Sequence, residues 1–536
     1  MNKTLSNFIF IAFISLAFIN CANRGTPGGG PKDETPPSIE KSTPENFSTN
    51  FKGNEIKIVF DEYIKIKDIQ KQLIISPPMK WQPDITPLGS ASKEITIKIN
   101  DTLLPNTTYA FNFGNSITDN NEGNPFPYYR YVLSTGDYID SLTVKGQIID
   151  ALKRQPETFV SVALYEIDST FHDSIIYKET PKYITNTLDS VTTFSIENIK
   201  AGKYMLMALK DGNNDNKFQQ KTDQIAFHES FIDIPNDSLY TLKLFSEKPD
   251  FKAIRPRLIS GEKIAFGYEG DYKDMDIKIT SETPEDFTHR ITKDEKTDTL
   301  YYWYKPRLKA DSLLFKVSHP TFEKDFTVRI SEQKRDSLII KTQPSGNISY
   351  EEPFKIFANT PFTAFDASKI SIMDKDSTNI DFTTQYDSIT NAYNFNFKKT
   401  EDNAYKLQVL PEAFVDFFDN TNDTLNYAVS TKKESDFGYV RFTLVNVKYP
   451  IIFQLTDAKG EVKYEQYATK PKALDFLNLD SGKYYIRVIF DTNGNGKYDS
   501  GNYLKKIQPE RVSHFEMDDE IRSDWGLVQT LNFIEE

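Results

Sequence analysis

Glu55-Ile56-Lys57-Ile58-Val59-Phe60 and Glu94-Ile95-Thr96-Ile97-Lys98-Ile99 alternate polar and apolar residues. That period of two is the strongest constraint on what this chain can fold into. Successive side chains of an extended strand leave opposite faces, so strict alternation gathers the apolar groups on one side of a sheet. Short runs of this kind, separated by turn residues, fill the sequence from Pro36 onward, and the one stretch with a helical pattern, Pro411 to Phe418, is brief. The expected fold class is all-β, a multidomain string of β-sandwiches. A length of 536 residues accommodates several domains, at about 100–200 residues each. The 40 Phe and 29 Tyr supply cores that need no disulfide, and with a single Cys none can form within the chain.

That cysteine, Cys21, closes an apolar run from Phe8 to Ile19 that follows one basic residue, Lys3. The run is shorter than the roughly 20 apolar residues a membrane-spanning helix needs, and has the form of a secretory signal. Phe18-Ile19-Asn20-Cys21 resembles the lipobox of Gram-negative bacterial lipoproteins, although that pattern prefers Leu where Phe18 stands and a small residue where Asn20 stands. The resemblance implies a signal peptide over 1–20 and acylation of Cys21, with the membrane as partner through the acyl chains. The alternative is an uncleaved signal anchor or a chance cysteine. Residues 21–35, rich in Gly and Pro, read as an extended tether that lifts the first domain off the lipid. A net charge of −13 argues against a nucleic-acid partner.

Within 36–136, Phe60-Asp61-Glu62, Ile75-Ser76-Pro77-Pro78, Asn106-Thr107-Thr108-Tyr109 and Ser134-Thr135-Gly136 resemble the bacterial Ig-like domain of S-layer proteins. That resemblance implies a spacer or structural role. Tyr109 stands where sandwich domains place a corner tyrosine whose hydroxyl bonds back to the backbone. Residues 141–246 carry Ala201-Gly202-Lys203-Tyr204 followed by an Asp/Asn turn, and 434–536 repeat it as Ser481-Gly482-Lys483-Tyr484. Both are similar to transthyretin-like or collagen-adhesin B-type sandwiches. Residues 343–432 repeat the Ig-like unit, with Ala404-Tyr405 matching Thr108-Tyr109 and Val415-Asp416 matching Ile117-Thr118, and 247–341 form a middle β domain. The chain thus reads as one pair of modules, a middle domain, then the same pair again.

The Asp/Asn turns are the leading ligand candidates. Asp491, Asn493, Asn495, the Lys497 carbonyl, Asp499 and Asn502 fall at loop positions 1, 3, 5, 7, 9 and 12 of an EF-hand-like spacing, with Gly496 at position 6. The earlier turn offers Asp211, Asn213, Asp215 and Asp223. Such loops suit Ca²⁺ of weak affinity, and Asn, Asp and Gly are equally what tight hairpins use. Asp-Ser/Thr before an aliphatic residue, as in Asp311-Ser312-Leu313, recurs along the chain. It resembles an O-glycosylation acceptor, and reads as well as a turn entering a strand. Tyr301 and Trp303, alternate residues of Thr299-Leu300-Tyr301-Tyr302-Trp303-Tyr304, offer an aromatic platform for a glycan, or else face a core.

No His-Glu-x-x-His and no Gly-x-Ser-x-Gly occurs, and the five histidines lie scattered. The expected function is non-catalytic: a lipid-anchored protein of the outer membrane or cell surface, acting as spacer, scaffold or adhesive surface. The alternatives are capture of an envelope protein or glycan partner and, third, a surface hydrolase working through two carboxylates.

Overall fold

The computed structural model describes residues 33–188 and 192–533. Cys21, the leader and most of the 21–35 tether lie outside the described residues. The described part is nearly all β and gathers into five sandwich units, each with its own apolar cluster.

In the first unit Glu55–Ile66 pairs with Ile39–Thr43 on one side and Ser92–Lys98 on the other, and its far end pairs with Ile117–Asp119. Ile74–Ser76, Thr108–Asn112 and Arg130–Ser134 form the facing sheet. The alternation read from the sequence holds: Ile56, Ile58, Phe60, Ile95 and Ile97 are fully buried between the sheets. The fourth unit repeats this topology. Phe354–Ala358 and Phe362–Phe365 divide the task of Glu55–Ile66, and Phe362–Phe365 pairs with Phe414–Asp416. The helical pattern of Pro411 to Phe418 is overturned, because Glu412 and Asp419 sit at positive φ and the backbone between them extends into that strand. The repeat also shifts by one residue. Asp416, opposite Phe362, takes the place of Asp119, opposite Ile64, so Val415-Asp416 matches Thr118-Asp119. Each aspartate is buried and accepts the amides of its adjoining turn, Asn121 to Asn124 in one and Phe418 and Asn420 in the other.

The corner tyrosine is present in both copies. Tyr109 Oη accepts the Leu104 amide at 2.8 Å, and Tyr405 Oη accepts the Thr400 amide at 2.7 Å.

The second and fifth units share another topology. In the second, Leu142–Asp150 lies between antiparallel Thr193–Ile199 and parallel Leu239–Leu244. In the fifth, Gly438–Val445 lies between antiparallel Leu474–Leu479 and parallel Gly526–Asn532. The Gly-x-Tyr signature enters the central strand of the other sheet, where Tyr204 Oη donates to the Lys200 carbonyl and Tyr484 Oη to the Asp480 carbonyl. Each of these rings meets a second tyrosine edge-on, Tyr183 at 5.9 Å and Tyr464 at 5.8 Å between centroids.

The third unit packs Lys263–Glu269 and Thr299–Lys305 against Ser312–His319 over Phe266, Tyr302 and Phe315. Its joint with the fourth unit is built from Trp303, edge-on to Phe418, and from Arg335, whose guanidinium lies 4.5 Å from the same ring. Arg335 and Arg307 both bond the buried carboxylate of Glu262, so that charge is paired where water cannot reach it.

Replacing the corner hydroxyl leaves a backbone donor unmatched, which costs about 1–3 kcal/mol. Tyr405→Phe is expected to speed hydrogen exchange at the Thr400 amide while leaving Val409, on the same strand, unchanged. Equal exchange at Thr400 in both proteins would deny the corner bond its stabilising role.

Candidate functional site

The two Asp/Asn loops have one backbone design. The first aspartate accepts the amides of the turn it opens: Asp211 those of Asn213, Asn214 and Asn216, and Asp491 those of Gly494, Asn495 and Gly496. The fourth and sixth positions are left-handed in both, occupied by Asn214 and Asn216 at φ 56° and 57° and by Gly494 and Gly496 at 74° and 72°. Asn and Gly are the residues that take this conformation at least cost. At the fifth and ninth positions an amide donates to a carboxylate, with the roles exchanged. Gln219 Nε2 donates to Asp215 at 3.1 Å, and Asn495 Nδ2 donates to Asp499 at 2.6 Å. Asn493 Nδ2 also donates to Asp499.

A carboxylate from beyond each turn ties its ends together. Asp223 accepts the Gly212 and Gln219 amides. Glu510 accepts the Thr492 amide at 2.8 Å and the Asp499 amide at 3.0 Å. Asn502 does not complete a ring with Asp491, since its side-chain oxygen accepts the Lys505 amide in a separate turn. Among the described residues no three or more His, Cys, Asp or Glu side chains are grouped to hold a metal ion. Most of the other proposed ligand oxygens are already engaged: Asn493 and Asn495 Oδ1 accept the Asn495 and Lys497 amides, Asp499 accepts from both asparagines with Lys248 nearby, and Asp215 accepts the Lys217 amide.

Burial works to raise the Asp491 carboxyl, but the amides of Gly496, Asn495 and Gly494 and the Tyr467 hydroxyl outweigh it and hold the group below the usual range. In Asp211 burial wins over the amides of Asn216, Asn213 and Asn214 and the group is raised.

The chain leaves the two loops by different routes. From the first it returns at once to strand Gln224–Phe227, whereas from the second it runs on from Asp499 to Val512 before Val512–Glu516. That extra length carries Tyr503 out of its own unit and into the second one. There Tyr503 is fully buried among Met205, Phe218, Phe227 and Phe245, 5.4 Å from the Phe227 ring and edge-on to it. Its hydroxyl lies 3.0 Å from Met205 Sδ, and its amide donates to Glu247 at 2.5 Å. Glu247 also accepts from Gln220, and burial raises its carboxyl despite both donors. Gly501 passes so close that a Cβ there would stand 2.6 Å from the Phe245 ring. Gln508 donates to the Phe227 carbonyl, and Lys506 pairs with Asp173 at the rim.

Beside this plug runs a polar row across the outer face of the fifth unit's larger sheet. Gln454 donates to Glu465, Arg487 Nε donates to Gln454, and His514 is the cross-strand neighbour of Arg487. Arg487 reaches the Leu152 carbonyl of the second unit, and Arg154 of that unit stacks 4.2 Å over Tyr485 and pairs with Glu516. Burial, then the charges of Arg487 and Arg154, push His514 down to about 4. Its Nε2, Asp150 Oδ2 and the Tyr498 hydroxyl are buried without partners, which is where ordered water is expected.

The aromatic platform is not formed. Trp303 is buried, donates its Nε1 to Thr292 at 2.9 Å and packs on Phe418, while Tyr301 is half-buried with Lys263 lying 4.2 Å from its ring. Trp303 presents no open face, and Tyr301 is left only partly exposed. Sequence reasoning missed Glu510, Tyr503 and Glu247. The greater length between Asp491 and its next strand, against that after Asp211, was the one signal that pointed to a plug.

The fold and this seam give the comparisons with known proteins their context. Residues 33–135 match the bacterial Ig-like domain family. This is the stretch whose motifs resembled that domain, and it corresponds to the first unit. Among solved structures, the surface layer protein SbsC, domains 1–6, is similar at 11% identity over 91% of this chain and 67% of its own, with a TM-score of 0.16. Titin fragment I67–I69 is similar at 13% identity over 53% and 98%, TM-score 0.12, and the Bacillus anthracis TIE protein at 9% over 94% and 76%, TM-score 0.15. Among curated proteins no sequence matches. No helix among the described residues is long and apolar enough to cross a membrane.

Two outcomes test the seam. Tyr503→Ala removes the buried ring, at about 3–5 kcal/mol for such a truncation, and should enlarge the radius of gyration in solution scattering while the separate units stay folded. An unchanged scattering curve would mean that other contacts hold the seam. His514 has a folded pKa near 4 against 6.5 unfolded, so the unfolded chain takes the proton first as pH falls. Its contribution is complete above about pH 6.5 and is lost between there and pH 4, at most about 3 kcal/mol and less by what solvent screens at this partly exposed ring. Asp150, raised by burial, acts in the opposite sense. The comparison is therefore the fifth unit's thermal midpoint at pH 7 and pH 4.5 in the native chain and in His514→Gln, which should lose part of the drop.

Proposed function

We propose that this chain is a non-catalytic envelope protein, held to a membrane by acyl groups on Cys21, whose sandwich units form a scaffold or adhesive surface at the outer membrane or cell surface. The second and fifth units are, in this reading, transthyretin-like modules alternating with bacterial Ig-like ones. The observation that carries it is the seam. Two buried ionisable groups, Glu247 of the one unit and Arg487 of the other, each bond across the joint between the second and fifth units, to the Tyr503 amide and the Leu152 carbonyl. Buried carboxylates and amides used in this way fix geometry between modules, which is the requirement of a scaffold. The Ig-like match of the first unit fits the same role.

The anchor is tested by expressing the full chain and Cys21→Ser in a Gram-negative host fed radiolabelled palmitate. The native chain is expected in the membrane fraction and labelled, and the variant unlabelled and released to the soluble fraction. A native chain that takes up no label would remove the anchor from the proposal, and with it the address.

A further inference from the structure

The joint between the third and fourth units encloses a cleft of about 550 Å³, within the size range of small-ligand sites. One wall carries Tyr301, whose hydroxyl is taken up by Asp294 at 3.0 Å. The floor is the outer face of the fourth unit's sheet, where residues stand in rows across the strands. Gln343 is opposite Lys355, and Lys355 opposite Asn394, while Lys341 is opposite Phe357 in the next row. The floor is therefore an amide, an ammonium and an amide, about 4.8 Å apart across the sheet, beside a second ammonium and a half-buried ring.

Three features of this floor point to a ligand. Lys341 and Lys355 make no ion pair among the described residues, although Lys355 helps hold the nearby Asp387 carboxyl down. Of the three carboxylates that share the cleft, Asp294 and Asp387 are largely occupied by amides and hydroxyls of their own turns, and the exposed Glu295 stands on a wall that also carries Lys263 and Lys293. Asn394 Oδ1 is buried and accepts no hydrogen bond, an expense that a donor in the cleft would remove. Lys355 and Asn394 stand on the two inner strands of the sheet, whose backbone groups are paired on both sides. A peptide could not add to these two as a further strand, so at Lys355 and Asn394 side chains alone read whatever enters.

We propose that this cleft binds a carboxylate-bearing oligosaccharide. The Lys355 ammonium, with Lys341 beside it, takes the carboxylate of a uronic acid residue. Gln343 and Asn394 bond the flanking hydroxyls, one hydroxyl donating to the orphaned Asn394 oxygen, and the sugar ring lies along Phe357. The site depends on the joint between two units and not on how the chain is anchored.

The test uses the full chain in isothermal titration with α-1,4-linked tetragalacturonate, with neutral maltotetraose and a hexaglutamate peptide as comparisons. Tetragalacturonate should bind, more weakly as salt rises, and maltotetraose should bind at least tenfold less tightly. Lys355→Ala should weaken binding about tenfold or more, the value of one charge-assisted hydrogen bond. Lys341→Ala and Asn394→Ala should each weaken it several-fold, with an unchanged circular dichroism spectrum in all three. Several outcomes would overturn the proposal: no heat with tetragalacturonate at millimolar concentration, equal binding of maltotetraose, or binding untouched by the three substitutions. Hexaglutamate binding as tightly as the saccharide, and lost with Lys355→Ala, would reassign the cleft to acidic peptides.

Discussion

The amide of Tyr503 on the carboxylate of Glu247 is the contact on which the arrangement of the units depends. Glu247 is buried where the second unit hands over to the third; among the described residues it makes no ion pair, and Tyr503 and Gln220 are its donors. A buried carboxylate without donors is costly, so Glu247 needs the fifth unit as much as the fifth unit needs the socket. Around that bond the ring of Tyr503 completes an apolar cluster belonging otherwise to the second unit. The string of sandwiches therefore turns back on itself, and its last unit meets its second as well as its fourth.

The Asp/Asn loops acquire their meaning from this closure. Two turns with one backbone are made by different residues: asparagines in one left-handed pair and glycines in the other, and an amide and a carboxylate in exchanged positions. Both copies keep an aspartate that gathers three amides and a second carboxylate that draws the ends together. With Glu510 reaching back over a longer span, the fifth unit's loop holds the start of the plug, from Asp499 to Gly501, on a fixed course. The rigid turn aims the ring, and the absence of a side chain on Gly501 lets the backbone pass Phe245.

The features legible in the sequence are those that depend on neighbours in the chain. The alternation of Ile56, Ile58 and Phe60 fixes a face, the hydroxyls of Tyr109 and Tyr405 reach amides five residues back, and those of Tyr204 and Tyr484 reach carbonyls four residues back. The features that stayed hidden depend on a different unit. Alternation places Tyr302 and Tyr304 inside the third unit and Tyr301 and Trp303 outside it, which is correct as far as it goes. Phe418, arriving from the fourth unit, together with Lys263 covers the outward Trp303 and makes it a buried residue. Asn502 fits the spacing of a ligand position, but the chain had already left the loop to form the plug. Spacing reports a ring only when the backbone closes one.

The seam between the second and fifth units is also where the structure has least to spare. Its ion pairs, Lys506 with Asp173 and Arg154 with Glu516, stand at the rim, where such pairs are worth little. Its polar row places Arg487 and His514 side by side with no carboxylate bonded to either, and leaves three buried polar atoms without protein partners. Its buried contacts are the Tyr503 ring and the hydrogen bond of its amide to Glu247. That is enough because the third and fourth units already hold the plug opposite its socket, so closure is an intramolecular event at high effective concentration. The joints made by Trp303, Phe418 and the paired Glu262 thus determine the strength of a contact they do not touch, and loosening them would weaken the seam as surely as removing Tyr503 itself.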